Sequence, residues 1–342
     1  MSTDPTIWAS PLAVAAVLPL ALLVDRLQGE PRSALHPVVW MGTLLAALGR
    51  WLPSSPPRGA FAAGAAAWCL GAGVSVSGAL LVERLLHGWL RWGVSTMLGA
   101  DAIPEAAIGG TAILAWTLLT AWLLKPLLAL RSLLEEVGAV EHALGLSLAA
   151  GRERTARICS RDTAALEATA LRETAIESLA ENLNDSLVAP LFWFAVAGLP
   201  GAALYRWANT ADAMWGYRDP RREWSGKFAA RADDVLSWPP ARLTALLLSP
   251  RGQGRRLREE AGRTPSPNGG WPMAAMALRL GVRLGKPGAY TLNEPGRPAD
   301  GAALRLGLAS AHRTGWIAAA ALGVLAAVVL WTRSALWTGA LA

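Results

Sequence analysis

The chain has 342 residues, of which 53% are hydrophobic and only 17% charged, and a formal net charge of +7. This balance, a positive mean hydropathy and long apolar runs exclude an ordinary soluble domain and define a helical integral membrane protein whose arginines mark cytoplasmic loops. Two cysteines, Cys69 in an apolar run and Cys159 in an Arg-rich region, exclude a disulfide framework and a CxxC metal site, and nothing points to nucleic acid.

The first apolar run covers 7–24 and contains Pro11 and Pro19; with no Lys or Arg before it and no small-residue cleavage site after it, it reads as a retained span. The loop from Asp25 to Arg58 is basic. A second run covers 61–82, where Gly64, Gly71, Gly73 and Gly78 allow close helix approach. After a short connection carrying Arg84 and Arg91, a third run covers 108–130 and includes Lys125-Pro126. Residues 131–185 are polar with a helical pattern. Asp162 is a predicted N-cap, with Thr163 at the first helical position.

The run 186–206 is short: only about a dozen residues precede Gly198-Leu199-Pro200-Gly201, whereas a span needs about 20. It therefore either crosses or re-enters as a hairpin. Re-entry keeps the arginine-rich regions on one side and satisfies the positive-inside rule; a crossing requires the weak run 235–248 to cross back. The last span is 316–331, between Trp316 and Trp331, and several of the 17 tryptophans sit at the ends of apolar runs as interfacial anchors do. The Pro/Gly-rich stretch 285–301 reads as a loop. The expected fold is all-α and multi-pass, one membrane-embedded domain over 1–342, with about four full spans plus the hairpin.

Within the polar region, Glu173, Glu177 and Glu181 are four apart and share a helix face, with Asn184 near the end of the same stripe. Like charges at this spacing weaken an isolated helix by roughly 0.2–0.5 kcal/mol per pair. A metal ion, a basic partner or water has to offset that repulsion, and a plain solvated face is the alternative reading. Asn209 and Asp212 lie three apart beyond the Gly-Leu-Pro-Gly bend and, with Asn184 and Asp185, flank the two ends of the hairpin. Their convergence would suit a hard cation or a phosphate; a pair of helix caps is the alternative. Asp25 and Arg26 either close the first span as interfacial charges or serve a site. His36 is a candidate proton carrier or a structural histidine. Of Asp233 and Asp234, adjacent on a helix, at most one faces a common site. Asn268 and Trp271 belong to a turn, Ser266-Pro267-Asn268-Gly269-Gly270-Trp271-Pro272, suited to capping a ligand. Gly281 to Lys286 is not a phosphate loop, because Pro287 stands where Ser or Thr must bind Mg²⁺.

Five stretches, in order, carry a resemblance: DRLQGEPRSALHPVVWMG, SRDTAALEATALRETAIESLAENLNDSLVAPLFWF, GLPGAALYRWANTADAMWGYR, AARADDVLSWPPARLTALLL and SPNGGWPMAAMALRLGVRL. Together the chain resembles the cobalamin-biosynthesis membrane family CobD/CbiB, the adenosylcobinamide-phosphate synthases. Gly269, where Ala is expected, and Leu187 are small departures that remove no polar group.

The resemblance implies an ATP-dependent amide ligation of adenosylcobyric acid with (R)-1-amino-2-propanol or its O-phosphate, in the cell (inner) membrane with cytoplasmic active-site loops. Other membrane enzymes of cobalamin assembly are the expected recipients of the product. On this reading ATP converts the propionate to an acyl phosphate, with Mg²⁺ held by some of Glu173, Glu177, Glu181, Asp185 and Asp212. One carboxylate, with Glu181 the candidate, takes a proton from the incoming ammonium. Arg172, Arg206, Arg218 and Arg231 are candidate phosphate contacts. Asp25, Arg26, His36, Asn182, Asn184, Asn209, Asp233, Asp234, Asn268 and Trp271 complete the expected substrate-binding set. Two other classes compete. A corrinoid carrier predicts charges inside the spans, where the runs above contain only Lys125. A membrane-embedded Mg-dependent phosphotransferase predicts a lipid-facing groove and no need for ATP.

Overall fold

Helix boundaries follow local chemistry in the computed structural model, which describes residues 10–97, 105–216 and 220–339. Helix α1 (Pro11–Gln28) starts where the Ser10 hydroxyl accepts from the Ala13 N–H and ends at Gly29, whose φ is 66°. Helix α2 (Pro37–Gly49) is capped by His36, whose ring accepts from the Val38 N–H. Helix α3 (Pro57–Met97) follows, then α4 (Glu105–Leu124), which tightens into a 3-10 turn at Lys125–Leu127. Next come α5 (Leu130–Leu146), α6 (Leu148–Ala156), α7 (Ala168–Leu183), a π-helical turn at Asn184–Val188, and α8 (Ala189–Trp215). Helices α9 (Lys227–Leu248), α10 (Gly254–Ala261) and α11 (Gly270–Leu280) precede strands β1 (Leu284–Lys286) and β2 (Tyr290–Leu292), and α12 (Gly301–Gly339) closes the chain.

The expected all-α, multi-pass architecture is present. Five segments among the described residues are long and apolar enough to cross a membrane: Pro11–Gln28, Pro57–Leu90, Gly110–Leu146, Ala168–Trp215 and Gly301–Arg333. The run 235–248 lies in α9, which holds Pro239 and Pro240 and is not among them. Chain contacts divide the molecule into two units. The first holds residues up to Leu128, Pro190–Asp233 and those from Ala319; the second holds Ala129–Ala189 and Asp234–Ala318.

In the first unit α1 packs on α4, and α3 packs on α2 and α4. Of the four glycines in the run 61–82, two are needed for contact. A Cβ at Gly64 would lie 1.9 Å from the Ser225 carbonyl oxygen, and one at Gly71 would lie 2.0 Å from the Trp207 ring. Gly73 and Gly78 face open space. The outer surface of this unit is apolar, with Leu70, Leu85, Leu114 and Val324 all exposed, as lipid-facing residues are.

One feature differs from expectation in this unit. The second apolar run does not end at 82: α3 continues through Glu83, Arg84 and Arg91, because no Gly-Pro pair or cap interrupts it. Glu83 and Arg84 therefore lie inside the crossing-length segment Pro57–Leu90. Helix α8 breaks at Ala197 and Gly198, where Gly198 takes φ 67°. A Cβ at Gly201 would lie 2.3 Å from the Trp193 carbonyl oxygen, although residues eight apart in a straight helix lie about 12 Å apart. The chain doubles back at the Gly-Leu-Pro-Gly bend.

In the second unit α5 packs on α6 and α7, α11 on α7 and α10, and β1 lies against α7. Two expectations are corrected here. Asp162 does not cap α7; Glu167 occupies the cap position, and the Asp162 carboxylate accepts from the Ala164 N–H in a local turn. The intervening loop is tied back to α6 by Arg152, which donates to the Leu166 carbonyl, and by Thr163, which donates to the Arg152 carbonyl. Residues 285–301 are not all loop: β1 and β2 pair antiparallel with Leu284 opposite Leu292, both buried, around a turn at Gly288 (φ 72°).

Candidate active site

Helix α7 is the spine of the second unit, buried along almost its whole length from Leu171 to Leu183. Its carboxylate stripe is not a solvated face: Glu173 and Glu177 are 6% and 3% exposed, and only Glu181 reaches the surface. The chain leaves α7 through the π turn because Pro190 has no N–H for the Ser186 carbonyl; that carbonyl accepts instead from the Ala129 N–H at 3.0 Å.

The loop before α7 folds along the stripe. Ser178 donates to the Ile158 carbonyl at 2.7 Å, which brings Arg161 over the helix. Arg161 pairs with Glu177 and donates to the Thr174 hydroxyl at 2.8 Å and to the Gly285 carbonyl at 3.2 Å. The Tyr290 hydroxyl on β2 reaches Glu177 and, at 3.9 Å, the Met273 sulfur. Burial, with the Glu177 charge beside it, pushes the Tyr290 hydroxyl well above its usual pKa, so it stays a neutral donor. Arg161, Glu173, Lys286, Gly288, Tyr290 and Thr291 line a cavity of about 320 Å³.

The acids are not fully satisfied. Glu173 Oε1 and Glu177 Oε1 are buried with no hydrogen-bond partner, and Arg283 approaches Glu173 only to 4.0 Å, too far for a hydrogen bond. Two carboxylates with uncommitted oxygens suit Mg²⁺, which takes one or two protein carboxylates and completes its shell with water and phosphate oxygens. Among the described residues no group of three or more His, Cys, Asp or Glu is placed to hold a metal. Any such ion would depend on its ligands for the rest of its shell.

The far end of the stripe meets the Ser266–Pro272 turn. A Cβ at Gly269 would press to 3.0 Å of Glu181 Oε1, so the glycine leaves that carboxylate room. Asn268 donates to the Asp234 carbonyl at 2.7 Å and accepts from Arg242 at 2.5 Å. Arg242 is stacked between Trp238 and Trp271, 4.5 and 4.8 Å from their ring centres. Burial pushes the Asp234 carboxyl up.

The remaining expected residues have other partners or lie elsewhere. Arg172 forms a two-pronged ion pair with Glu141 on α5, at 2.7 and 3.0 Å. Asn182 donates back to Ser178 of its own helix. Asn184 donates to Asp185 at 2.8 Å and accepts from Thr244 at 3.0 Å, pinning the π turn to α9.

Asp25, Arg26, His36, Arg206, Asn209, Asp212, Arg231 and Asp233 belong to the first unit. Asp25 is 1% exposed and sits 3.7 Å from the buried Lys125, which also pairs with Glu30 at 3.4 Å; His36 contacts Glu30 at 3.1 Å. Asn209 and Asp212 are half-buried on the second half of α8, with Asp212 folded against Gly216, and Arg231 is exposed on α9. Arg218 lies outside the described residues.

The sequence reading missed Arg161, Tyr290, Lys286 and Arg242. Arg161 and Arg242 both stand inside the stretches that carried the family resemblance.

Fold and site together define a polytopic helical membrane protein with a buried carboxylate pair beside an arginine-lined cavity. The chain belongs to the CobD/CbiB family: the family described as CobD/Cbib protein matches residues 18–317. It is 41% identical over 275 residues to the cobalamin biosynthesis protein CobD of Stutzerimonas stutzeri, covering 79% of this chain and 82% of that one. It is 41% identical over 282 residues to the probable cobalamin biosynthesis protein CobD of Pyrococcus abyssi, covering 82% and 86%. The CobD protein of Rhodobacter capsulatus is 36% identical over 343 residues, covering 94% and 99%. No solved structure matches the chain.

Proposed function

We propose that this protein acts in cobalamin biosynthesis as an amide-forming ligase, joining the propionate of adenosylcobyric acid to (R)-1-amino-2-propanol or its O-phosphate at the expense of ATP. The observation that carries this reading is the pair of buried, unpartnered oxygens of Glu173 and Glu177 beside Arg161 and Lys286. Family membership supplies the substrate class. We place the protein in the inner membrane with the second unit's polar face in the cytoplasm, where the arginine-rich loops belong.

A carboxylate does not condense with an amine until one of its oxygens can leave. Phosphoryl transfer from ATP to the propionate provides that leaving group; the free amine attacks the carbonyl and phosphate departs. Arg161 and Lys286 hold phosphate oxygens, Arg161 through its two-pronged guanidinium. Glu173 and Glu177 would hold Mg²⁺, which when bound spreads the charge of the phosphoryl group. Tyr290, kept protonated by burial, donates to Glu177 and fixes its orientation. Glu181, exposed beside Gly269, accepts the proton from the incoming ammonium.

The test is incubation of detergent-solubilised protein with adenosylcobyric acid, aminopropanol phosphate and ATP, with the product weighed by mass spectrometry. The expected product mass is that of the amide, formed only with ATP. Glu177→Gln should reduce its formation by about 10²-fold or more. Near wild-type turnover in that variant removes the carboxylate pair from the mechanism.

A further inference from the structure

The first unit contains a second polar site, inside its apolar helices and unrelated to the carboxylate stripe. Glu83 on α3, His87 one turn on, Trp116 and Thr120 on α4, Gly198 on α8 and Arg333 on α12 line a cavity of about 270 Å³, completed by apolar side chains such as Phe194 and Leu330. Glu83 accepts from the Leu199 N–H at 2.9 Å, capping the helix that restarts after the bend. Arg333 donates to the Val196 carbonyl at 3.0 Å. An anion and a cation are thus anchored on backbone groups only three residues apart, yet the two do not pair with each other.

Charges within a span ordinarily pair with one another or serve a ligand. These two line one shared space without pairing across it. The Thr120 hydroxyl, 3% exposed, lines that space with no hydrogen-bond partner, which is costly unless a ligand supplies one. His87 accepts from the Trp116 indole N–H at 3.0 Å, so the ring is held in place. Beside the cavity, Leu114, Leu118, Val328 and Trp331 are exposed, so its surroundings are apolar and belong to acyl chains.

We propose that this cavity holds the headgroup of one membrane lipid: a glycerophospholipid bearing a primary ammonium. Its phosphate sits on Arg333 and Thr120, its ammonium on Glu83, and its acyl chains run down the exposed faces of α4 and α12. The charge pattern selects this lipid. A phosphatidylglycerol headgroup offers no cation to Glu83, and a quaternary choline offers no N–H donor.

The experiment is native mass spectrometry of protein released from nanodiscs containing equal parts phosphatidylethanolamine, phosphatidylglycerol and phosphatidylcholine. The expected result is one retained phosphatidylethanolamine. Its occupancy should fall about tenfold in Glu83→Gln, which keeps an acceptor for the Leu199 N–H, and in Arg333→Gln, each of which loses one charge-assisted contact. Arg333→Lys should retain more lipid than Arg333→Gln. Equal retention of all three lipids, no retention, or wild-type retention in both variants overturns the assignment. So does displacement of the lipid by soluble O-phosphoethanolamine, which would make this a small-molecule site. Amide-forming activity is a separate measurement, so failure here leaves the ligase reading untouched. Should Glu83→Gln not fold, the two Arg333 variants decide the matter.

Discussion

Each unit buries carboxylates, and each treats them differently. In the first, Asp25 and Glu30 share Lys125, and Glu30 also meets His36; acid and base meet within the fold. In the second, Glu173 and Glu177 lie one turn apart with Arg161 close to only one of them, and Arg283 comes no nearer than 4.0 Å to the other, so two neighbouring acids share one close cation. Charge that is cancelled internally holds a structure together. Charge left uncancelled and dry is a cost that folding alone does not justify, and it marks the place where a ligand completes the electrostatics.

The widest separation of the two cases should come from Glu173→Gln. This change removes a charge that makes no hydrogen bond through Oε1 and no ion pair closer than 4.0 Å. Amide formation should fall by about 10²–10⁴-fold, while stability in detergent should hold or rise, because glutamine keeps an acceptor for the Gly285 N–H and removes a buried charge that Oε1 leaves without a hydrogen bond. A matched loss of stability and activity would move Glu173 into the same class as Asp25.

Lys125→Ala is the opposite experiment. It leaves Asp25, 1% exposed, without the cation beside it. Breaking a buried pair from one side costs roughly 3–5 kcal/mol, so the apparent unfolding midpoint should drop sharply while the folded fraction keeps its turnover. The double variant Lys125→Met with Asp25→Asn should recover much of the loss. If the single variant unfolds like wild type, the ion pair is not structural.

These residues also show what the sequence made legible. The spans, the bend at Gly198 and the one-turn spacing of the glutamates are local properties, set by hydropathy, backbone freedom and helical period. The partners of those glutamates are not local. Arg161 reaches Glu177 only because an eleven-residue loop, 157–167, lies back along α7, and no periodicity encodes that. Tyr290 arrives from a strand pair that composition alone presented as a Pro/Gly loop. Glu83 is hidden for a different reason: hydropathy ends the apolar run at the first charge, whereas the helix continues and turns that charge inward to cap another segment. Arg172 shows the converse error. Placed beside the stripe by sequence, it is turned to Glu141, because a guanidinium one residue from Glu173 projects from another side of the helix.

A smaller effect should separate the two ends of the stripe. Arg242→Lys keeps the charge but loses the planar stack between Trp238 and Trp271 and the forked contact with Asn268 and Pro267. The expected loss is about 1–3 kcal/mol of stability, read from urea midpoints. Equal midpoints would make the stack incidental.

The smallest effect is a change of slope with pH, and it belongs to the first unit. Burial pushes Glu30 up, but the hydrogen bond and charge of His36 and the charge of Lys125 outweigh it and hold the carboxyl below its ordinary 4.5. A carboxyl with a depressed folded pKa contributes stability above its unfolded pKa, and that contribution is lost as pH falls through the folded value. Wild-type protein should therefore lose thermal stability more steeply than Glu30→Gln below about pH 4.5, with the two curves running parallel from there up to neutrality. The variant will start lower, since it also weakens the hold on Lys125, so the comparison rests on slope and not on height. Curves that stay parallel below that pH would mean that Glu30 carries no folding-linked proton, and that Lys125 is balanced by Asp25 alone.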